Sequence, residues 1–298
     1  MSVSGLARAL GVVALLAGAA TASAQPPSPC PSRITLGANT QAGHTVVVDG
    51  IRIYYEVYGS GAPLLMIHGN GGSIGDWRCQ ILHFSRSYRV IVADSRSHGK
   101  SDEGSGPLTY ERMADDLAAV LDDARTGPVD IIGHSDGGIL GLLLAIRHPA
   151  KVKKLVASGP NLRPDSTALV DWFFPFTTKA LENANAMIAK GDRSQNWARI
   201  KRQNELMLNE PHIALDALQK IQAPTLILGA DDDAIKTEHL LEIYRSIPKA
   251  QFAIVPGTTH LLSAQQPDLY NGIAERFLRQ PFTRPTTKQA FEQAFGVP

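Results

Sequence analysis

From Thr45 onward the chain alternates short apolar, β-branched runs with longer stretches of helical periodicity. Thr45–Val48 and Ile51–Tyr58 flank Asp49-Gly50, a pair suited to the left-handed backbone of a two-residue hairpin turn. Ala62–Ile67 is a continuous apolar run of strand length, and Arg89–Ala93, Val129–Ile132, Lys153–Ala157, Thr225–Leu228 and Ala250–Val255 repeat its character. Strands without polar alternation are those buried on both faces of a sheet. Between them the spacing predicts helices over about Gly75–Tyr88, Tyr110–Ala124, Gly138–His148, Lys236–Ile247 and Pro267–Arg279. From Tyr110 to Leu121, apolar residues recur at helical intervals against Glu111, Asp115 and Asp116. Alternating strands and helices imply an α/β fold whose parallel strands are joined by right-handed crossovers, with the opening hairpin making the sheet mixed. The rhythm breaks once. From Leu162 to Ile221 several helices and no strand are expected, an interval too long for an ordinary connection and read as a helical cap over the sheet.

The expected organisation is thus a core over residues 44–161 and 222–280, a cap over 162–221 and a peripheral tail over 281–298. The first residues read differently. Arg8 precedes the apolar stretch Ala9–Ala20, and Thr21-Ala22-Ser23-Ala24 supplies a small-x-small site. That is the pattern of a signal peptide over residues 1–24, followed by an N-terminal tail over 25–43, and it predicts an exported chain, periplasmic or secreted. The stretch is too short to span a bilayer, so no stable membrane anchor is expected after cleavage.

Composition narrows the function classes. Twenty-nine basic and 28 acidic side chains leave a net charge of +1 in 298 residues, which gives no footing for a nucleic-acid partner. The two cysteines, Cys30 and Cys79, would make an even pair in an exported chain. Either they form a disulfide that staples the Pro-rich tail to the helix carrying Cys79, or they remain two thiols. No paired His/Asp/Glu spacing suggests a metal site, and Gly69–Gly72 lacks the Lys-Ser/Thr ending of a phosphate loop. No cofactor is implied, and the expected partner is a small-molecule substrate.

The sharpest motif is Gly133-His134-Ser135-Asp136-Gly137-Gly138, which follows the strand Val129–Ile132 and opens the next helix. A serine on so tight a strand-to-helix turn needs small residues two before and two after it, and the helix N-terminus aims backbone N–H groups at the reacting centre. A hydroxyl is a poor nucleophile until a base takes its proton. His260, just beyond the last strand, is the candidate base, and Asp231-Asp232-Asp233, just beyond the preceding strand, offers an orienting acid. The chain order Ser, Asp, His is then that of a nucleophile-elbow hydrolase.

With these residues in place, the chain resembles the α/β-hydrolase superfamily from about Gly43 to Leu278. The likeness also covers His68-Gly69-Asn70-Gly71 and Asp94-Ser95-Arg96-Ser97-His98-Gly99-Lys100-Ser101. It implies an eight-stranded, mostly parallel sheet flanked by helices with a helical cap. Aligning Ala230 with the family's small strand-ending residue selects Asp233 as the acid, with Asp231 and Asp232 as alternatives. The resemblance also implies that the backbone N–H groups of Asn70 and Asp136 form the oxyanion hole. Family members usually carry Gly where Ser97 stands, a departure in a loop without expected catalytic consequence.

Within the resemblance, Ser-Asp-Gly-Gly is similar to the turn of valacyclovir-hydrolase-like α-amino ester hydrolases, where an acid beside the nucleophile can pair with a substrate ammonium. The plainer reading is that Asp136 contributes only its N–H. Trp172, Phe173 and Phe174, with Phe176 and Trp197, either line an apolar substrate pocket or pack the cap onto the core. The expected activity is hydrolysis of a small or medium apolar ester or lactone through an acyl-enzyme. The alternatives are an amidase, α-amino ester or carbon–carbon bond hydrolase using the same triad, and, from another class, a non-catalytic receptor on this fold.

Overall fold

The computed structural model describes Cys30 and residues 34–296. The expected signal peptide and the first residues of the tail lie outside that range. The elements follow in chain order as β1 (Gly43–Val48), β2 (Ile51–Tyr58), β3 (Ala62–Ile67), α1 (Arg78–Phe84), β4 (Tyr88–Ala93) and α2 (Tyr110–Asp123). The central part continues with β5 (Val129–His134), α3 (Asp136–Arg147), β6 (Val152–Ser158), α4 (Phe173–Ala189), α5 (Trp197–Asn209) and α6 (Leu215–Leu218). The chain closes with β7 (Thr225–Asp232), α7 (Thr237–Ser246), β8 (Ala250–Thr259), α8 (Leu262–Gln265), α9 (Pro267–Arg279) and α10 (Thr287–Phe295). The strands form one sheet of eight in the order β1-β2-β4-β3-β5-β6-β7-β8. Only β1 with β2 and β2 with β4 pair antiparallel. Asp49 and Gly50 both have positive φ (49° and 77°), as the hairpin turn requires.

The unbroken apolar strands are explained by the pleat. Leu65, Ile67, Ile91, Ala93 and Ile131 face one core with residues of α2, α3 and α7. Their neighbours Leu64, Met66, Val90, Val92 and Ile132 face a second core with α1 and α9. Two helix-covered faces bury most residues of such a strand, so polar positions are few and apolar residues run on without alternation. Between β6 and β7 the named elements are the helices α4, α5 and α6, and this segment sends Leu162, Leu169, Leu206 and Leu218 into the first core. Arg199 and Arg202 on α5 fasten it to the loop after β4, donating to the carbonyls of Gly99 (2.8 Å), Gly104 (2.7 Å) and Gly106 (2.7 Å).

Several boundaries differ from the expected ones. The helix expected from Gly75 begins as a 3₁₀ turn, Ile74–Trp77, capped by Ser73, and its α-helical part ends at Phe84. The strands expected to end at Leu228 and Val255 run on to Asp232 and Thr259, through Pro256-Gly257. The tail carries a helix, α10, whose Phe291 and Phe295 are 59% and 69% exposed. Cys30 and Cys79 are joined by a disulfide, which ties the N-terminal segment to α1.

Candidate active site

Ser135 stands between β5 and α3 with φ 55° and ψ −121°, a region costly for any residue with a side chain. The turn is so tight that a Cβ on Gly133 would lie 2.0 Å from the Gly137 carbonyl oxygen, and one on Gly137 would lie 1.9 Å from that of Ile67. Two glycines are therefore obligatory. The strain is held from outside, since the Ser135 N–H donates to the Ser158 carbonyl at 2.8 Å.

The extension of β7 and β8 supplies the other two groups. Asp232 and Thr259 are register partners, so Asp233 and His260 leave the sheet edge side by side. The Ser135 hydroxyl donates to His260 Nε2 at 3.0 Å, and His260 Nδ1 donates to Asp233 Oδ1 at 2.5 Å. Asp233 is held in turn by the N–H of Ala230 (3.0 Å) on Oδ2 and of Ile235 (3.1 Å) on Oδ1. The neighbouring acid Asp231 faces away from the histidine. It accepts from the N–H groups of Gly257 (2.8 Å) and Thr258 (3.0 Å) and braces the β8 extension. Asp232 is exposed on the strand.

The electrostatics agree with this geometry. Burial pushes the Asp233 carboxyl up, but the His260 charge and its hydrogen bonds hold it below the usual carboxylate range. Burial pushes His260 down, and the Asp233 charge overcomes that and lifts it above an ordinary histidine. His134, its ring centroid 4.9 Å from that of His260, is pushed down to about 3 by burial and by the His260 charge, so it stays neutral. His68 and His98 are loop ties. His68 Nε2 accepts the Ser95 N–H at 3.0 Å, and His98 Nε2 accepts that of Gly71 at 3.1 Å.

Asn70 follows β3, the strand beside β5, and Asp136 is the first residue of α3, so its N–H has no acceptor within the helix. The two side chains meet: Asn70 Nδ2 donates to Asp136 Oδ2 at 2.9 Å and also reaches the Gln203 carbonyl of α5 at 3.3 Å. Burial raises the Asp136 carboxyl, while hydrogen bonds from Asn70 and the Tyr110 phenol pull it back.

Ser135, Asp136 and His260 open onto a narrow cleft, with about 30 Å³ of free volume, walled by Leu169, Phe173, Met207 and Ile235 and, on its polar side, by Tyr110, Asn161 and Glu210. Of the three aromatic residues expected to meet substrate, only Phe173 lines this cleft. Trp172 is 56% exposed and stacks edge-on against Phe176, and Phe174 packs against the first core. Trp197 is buried, its indole N–H on Asp192.

Sequence reasoning missed Gly159, whose φ is +58° and whose Cβ would lie 2.9 Å from His260 Cε1; its only sequence signal is its place just after a strand. It also missed Gln203, Tyr110 and Glu210, which a helical pattern cannot tell from other helix residues. Ser97 takes φ 63°, where glycine is free, and its carbonyl accepts Gln203 Nε2 at 2.7 Å. No group of three or more metal-binding side chains forms among the described residues.

Residues 62–187 match a family model described as alpha/beta hydrolase fold. The chain is 30% identical over 249 residues to the protein named carbamate hydrolase RutD of Azorhizobium caulinodans, covering 74% of this chain and 92% of that one. It is 26% identical over 249 residues to the human serine hydrolase BPHL, covering 78% and 85%. Among solved structures, the enol-lactonase of Burkholderia xenovorans superposes with a TM-score of 0.67 at 19% identity, over 80% of this chain and 100% of that one.

Proposed function

The chain belongs to the α/β-hydrolase superfamily and is a hydrolase, and from that premise we propose that it cleaves small or medium apolar carboxylic esters or lactones through an acyl-enzyme on Ser135. The observation that carries the reading is the unbroken chain of hydrogen bonds from Ser135 Oγ through His260 to Asp233. His260 Nε2 takes the Ser135 proton as Oγ attacks the carbonyl carbon, and the imidazolium so formed is stabilised by Asp233. The negative charge on the former carbonyl oxygen is met by the N–H groups of Asn70 and Asp136, each donor being worth about 3–4 kcal/mol of barrier. The same imidazolium then protonates the leaving oxygen. Water, deprotonated by His260, releases the acid and restores Ser135.

The apolar wall of Leu169, Phe173, Met207 and Ile235 beside Ser135 supports an apolar acyl or alcohol group, and the segment 162–221 acts as the cap that brings the first three over the sheet edge, Ile235 coming from the loop after β7. Export to an oxidising compartment is part of the same proposal, supported by the apolar stretch Ala9–Ala20 and by the Cys30–Cys79 disulfide.

The test is labelling with a reactive fluorophosphonate, with the adduct located by peptide mass spectrometry, beside turnover of short-chain aryl esters, lactones and carbamates. Modification of Ser135 alone, with turnover lost in Ser135→Ala, is the expected result. Full turnover by Ser135→Ala refutes the assignment, and preference for the carbamate would move the acyl class without moving the nucleophile.

A further inference from the structure

The two donors assigned to the oxyanion stand on separate pieces of chain. Asn70 lies three residues past Ile67 on β3, and Asp136 lies three past Gly133 on β5. Ile67 and Gly133 are the last register partners of those two strands. Beyond that pair the ladder no longer fixes the spacing of the two loops. Close packing of Gly137 on the Ile67 carbonyl holds the turn near β3, and a hydrogen bond between the side chains of the two donor residues links the loops themselves: Asn70 Nδ2 to Asp136 Oδ2, 2.9 Å.

This inference rests on the reading of Ser135 as nucleophile. We propose that Asp136 is a positioning residue whose carboxylate, tied to the Asn70 carboxamide, sets the separation of the two backbone N–H groups that receive the oxyanion. Gln203 secures the tie from the cap. Its carbonyl accepts Asn70 Nδ2 at 3.3 Å, while its own amide holds the Ser97 carbonyl at 2.7 Å. The Asn70 carboxamide is thus a junction of the β3 loop, the nucleophile turn and α5. On its far side the same loop is held by the Gly71 N–H on His98 Nε2, 3.1 Å.

The carboxylate is poorly placed to receive a charged substrate. Asp136 is only 5% exposed, and its hydrogen bonds come from Asn70 and Tyr110. With so little of its surface open to the cleft, the carboxylate offers a substrate ammonium only a small contact. The tie needs an acceptor at this point and not a charge, which separates the two roles experimentally. Donors must sit where the oxyanion develops, and displacement by about 1 Å can cost on the order of a hundredfold in rate.

The experiment compares Asp136→Ala, Asp136→Asn, Asn70→Ala and the double variant Asp136→Ala/Asn70→Ala on matched neutral and α-amino esters. A boronic acid is measured alongside, because its Ser135 adduct places an anionic oxygen in the hole. Asp136→Ala is expected to lower kcat about ten- to a hundredfold with KM nearly unchanged on both esters. Boronate affinity should weaken in step with kcat/KM. Asn70→Ala should match it, and the double variant should be no worse than either single one. Asp136→Asn keeps an acceptor for Asn70 Nδ2 and should recover most of the activity.

The proposal is overturned if Asp136→Asn is as impaired as Asp136→Ala, or if the loss appears as a raised KM confined to the α-amino ester. Thermal melting of each variant separates misfolding from mispositioning, and Asp136→Asn carries the test should Asp136→Ala fail to fold. Failure of the nucleophile reading is visible independently, as absence of fluorophosphonate labelling of Ser135 in the wild-type protein.

Discussion

Replacing Asp233 by Asn tests the site through its electrostatics. The carboxylate accepts His260 Nδ1 at 2.5 Å, the Ala230 N–H at 3.0 Å and the Ile235 N–H at 3.1 Å. Asparagine has one acceptor oxygen for these three donors, so its NH₂ must oppose one of them, and it carries no charge to stabilise the imidazolium. Loss of the corresponding acid in a serine triad costs about 10⁴ in kcat, which at 1.36 kcal/mol per decade is about 5.4 kcal/mol of barrier. The pH profile carries a second, independent signature. Burial pushes His260 down and the Asp233 charge lifts it above the ordinary histidine value of 6.5, so the wild-type enzyme should lose kcat/KM as pH falls through a value above 6.5. Without Asp233 the lowering effect of burial prevails, and the acid limb should move to lower pH even as the plateau drops. The assay is kcat/KM for a neutral aryl ester from pH 5 to 9 in both proteins. An unchanged plateau, or an acid limb that stays or moves to higher pH, refutes the coupling inferred from the geometry.

Three further outcomes are expected. Gly159→Ala would place a Cβ 2.9 Å from His260 Cε1 at a φ of +58°, and activity should fall at least about tenfold while the melting temperature drops only a few degrees, as turnover and thermal melting would show. Asp130→Asn should stabilise the fold by roughly 1 kcal/mol at neutral pH, because Asp130 is 2% exposed, its Oδ1 has no hydrogen-bond partner and Lys153 stands 4.0 Å away. Burial raises this carboxyl in the folded state, so the wild type loses stability as pH rises from the unfolded carboxylate value through the folded one. The gain should therefore vanish at low pH in chemical denaturation. Cys79→Ser removes a cross-link spanning 49 residues and should cost about 2–4 kcal/mol, read as a lower denaturant midpoint that reductant reproduces in the wild type.

Much of this molecule was open to sequence reasoning because its signals are local. Apolar runs marked the strands from β3 to β8, most of them covered on both sheet faces, while β1 and β2 were marked by the Asp49-Gly50 hairpin signal, because few residues accept positive φ. The Gly133–Gly137 turn was legible by its motif: the turn itself leaves no room for a Cβ on Gly133, and the neighbouring strand β3 leaves none on Gly137.

What only the tertiary structure decided depends on where separate strands end relative to one another. Spacing alone leaves three adjacent aspartates equivalent and only the family resemblance selects Asp233; the physical reason lies in the pairing of Asp232 with Thr259, which puts Asp233 against His260 and turns Asp231 onto the β8 backbone. The aromatic run from Trp172 to Phe174 is equally apolar throughout, yet helix geometry turns only Phe173 into the cleft and leaves Trp172 in solvent. The Asn70–Asp136 tie and its brace from Gln203 join residues 66 and 133 positions apart. No local pattern encodes such pairs, because a hydrogen bond between distant loops exists only once the sheet has fixed their spacing.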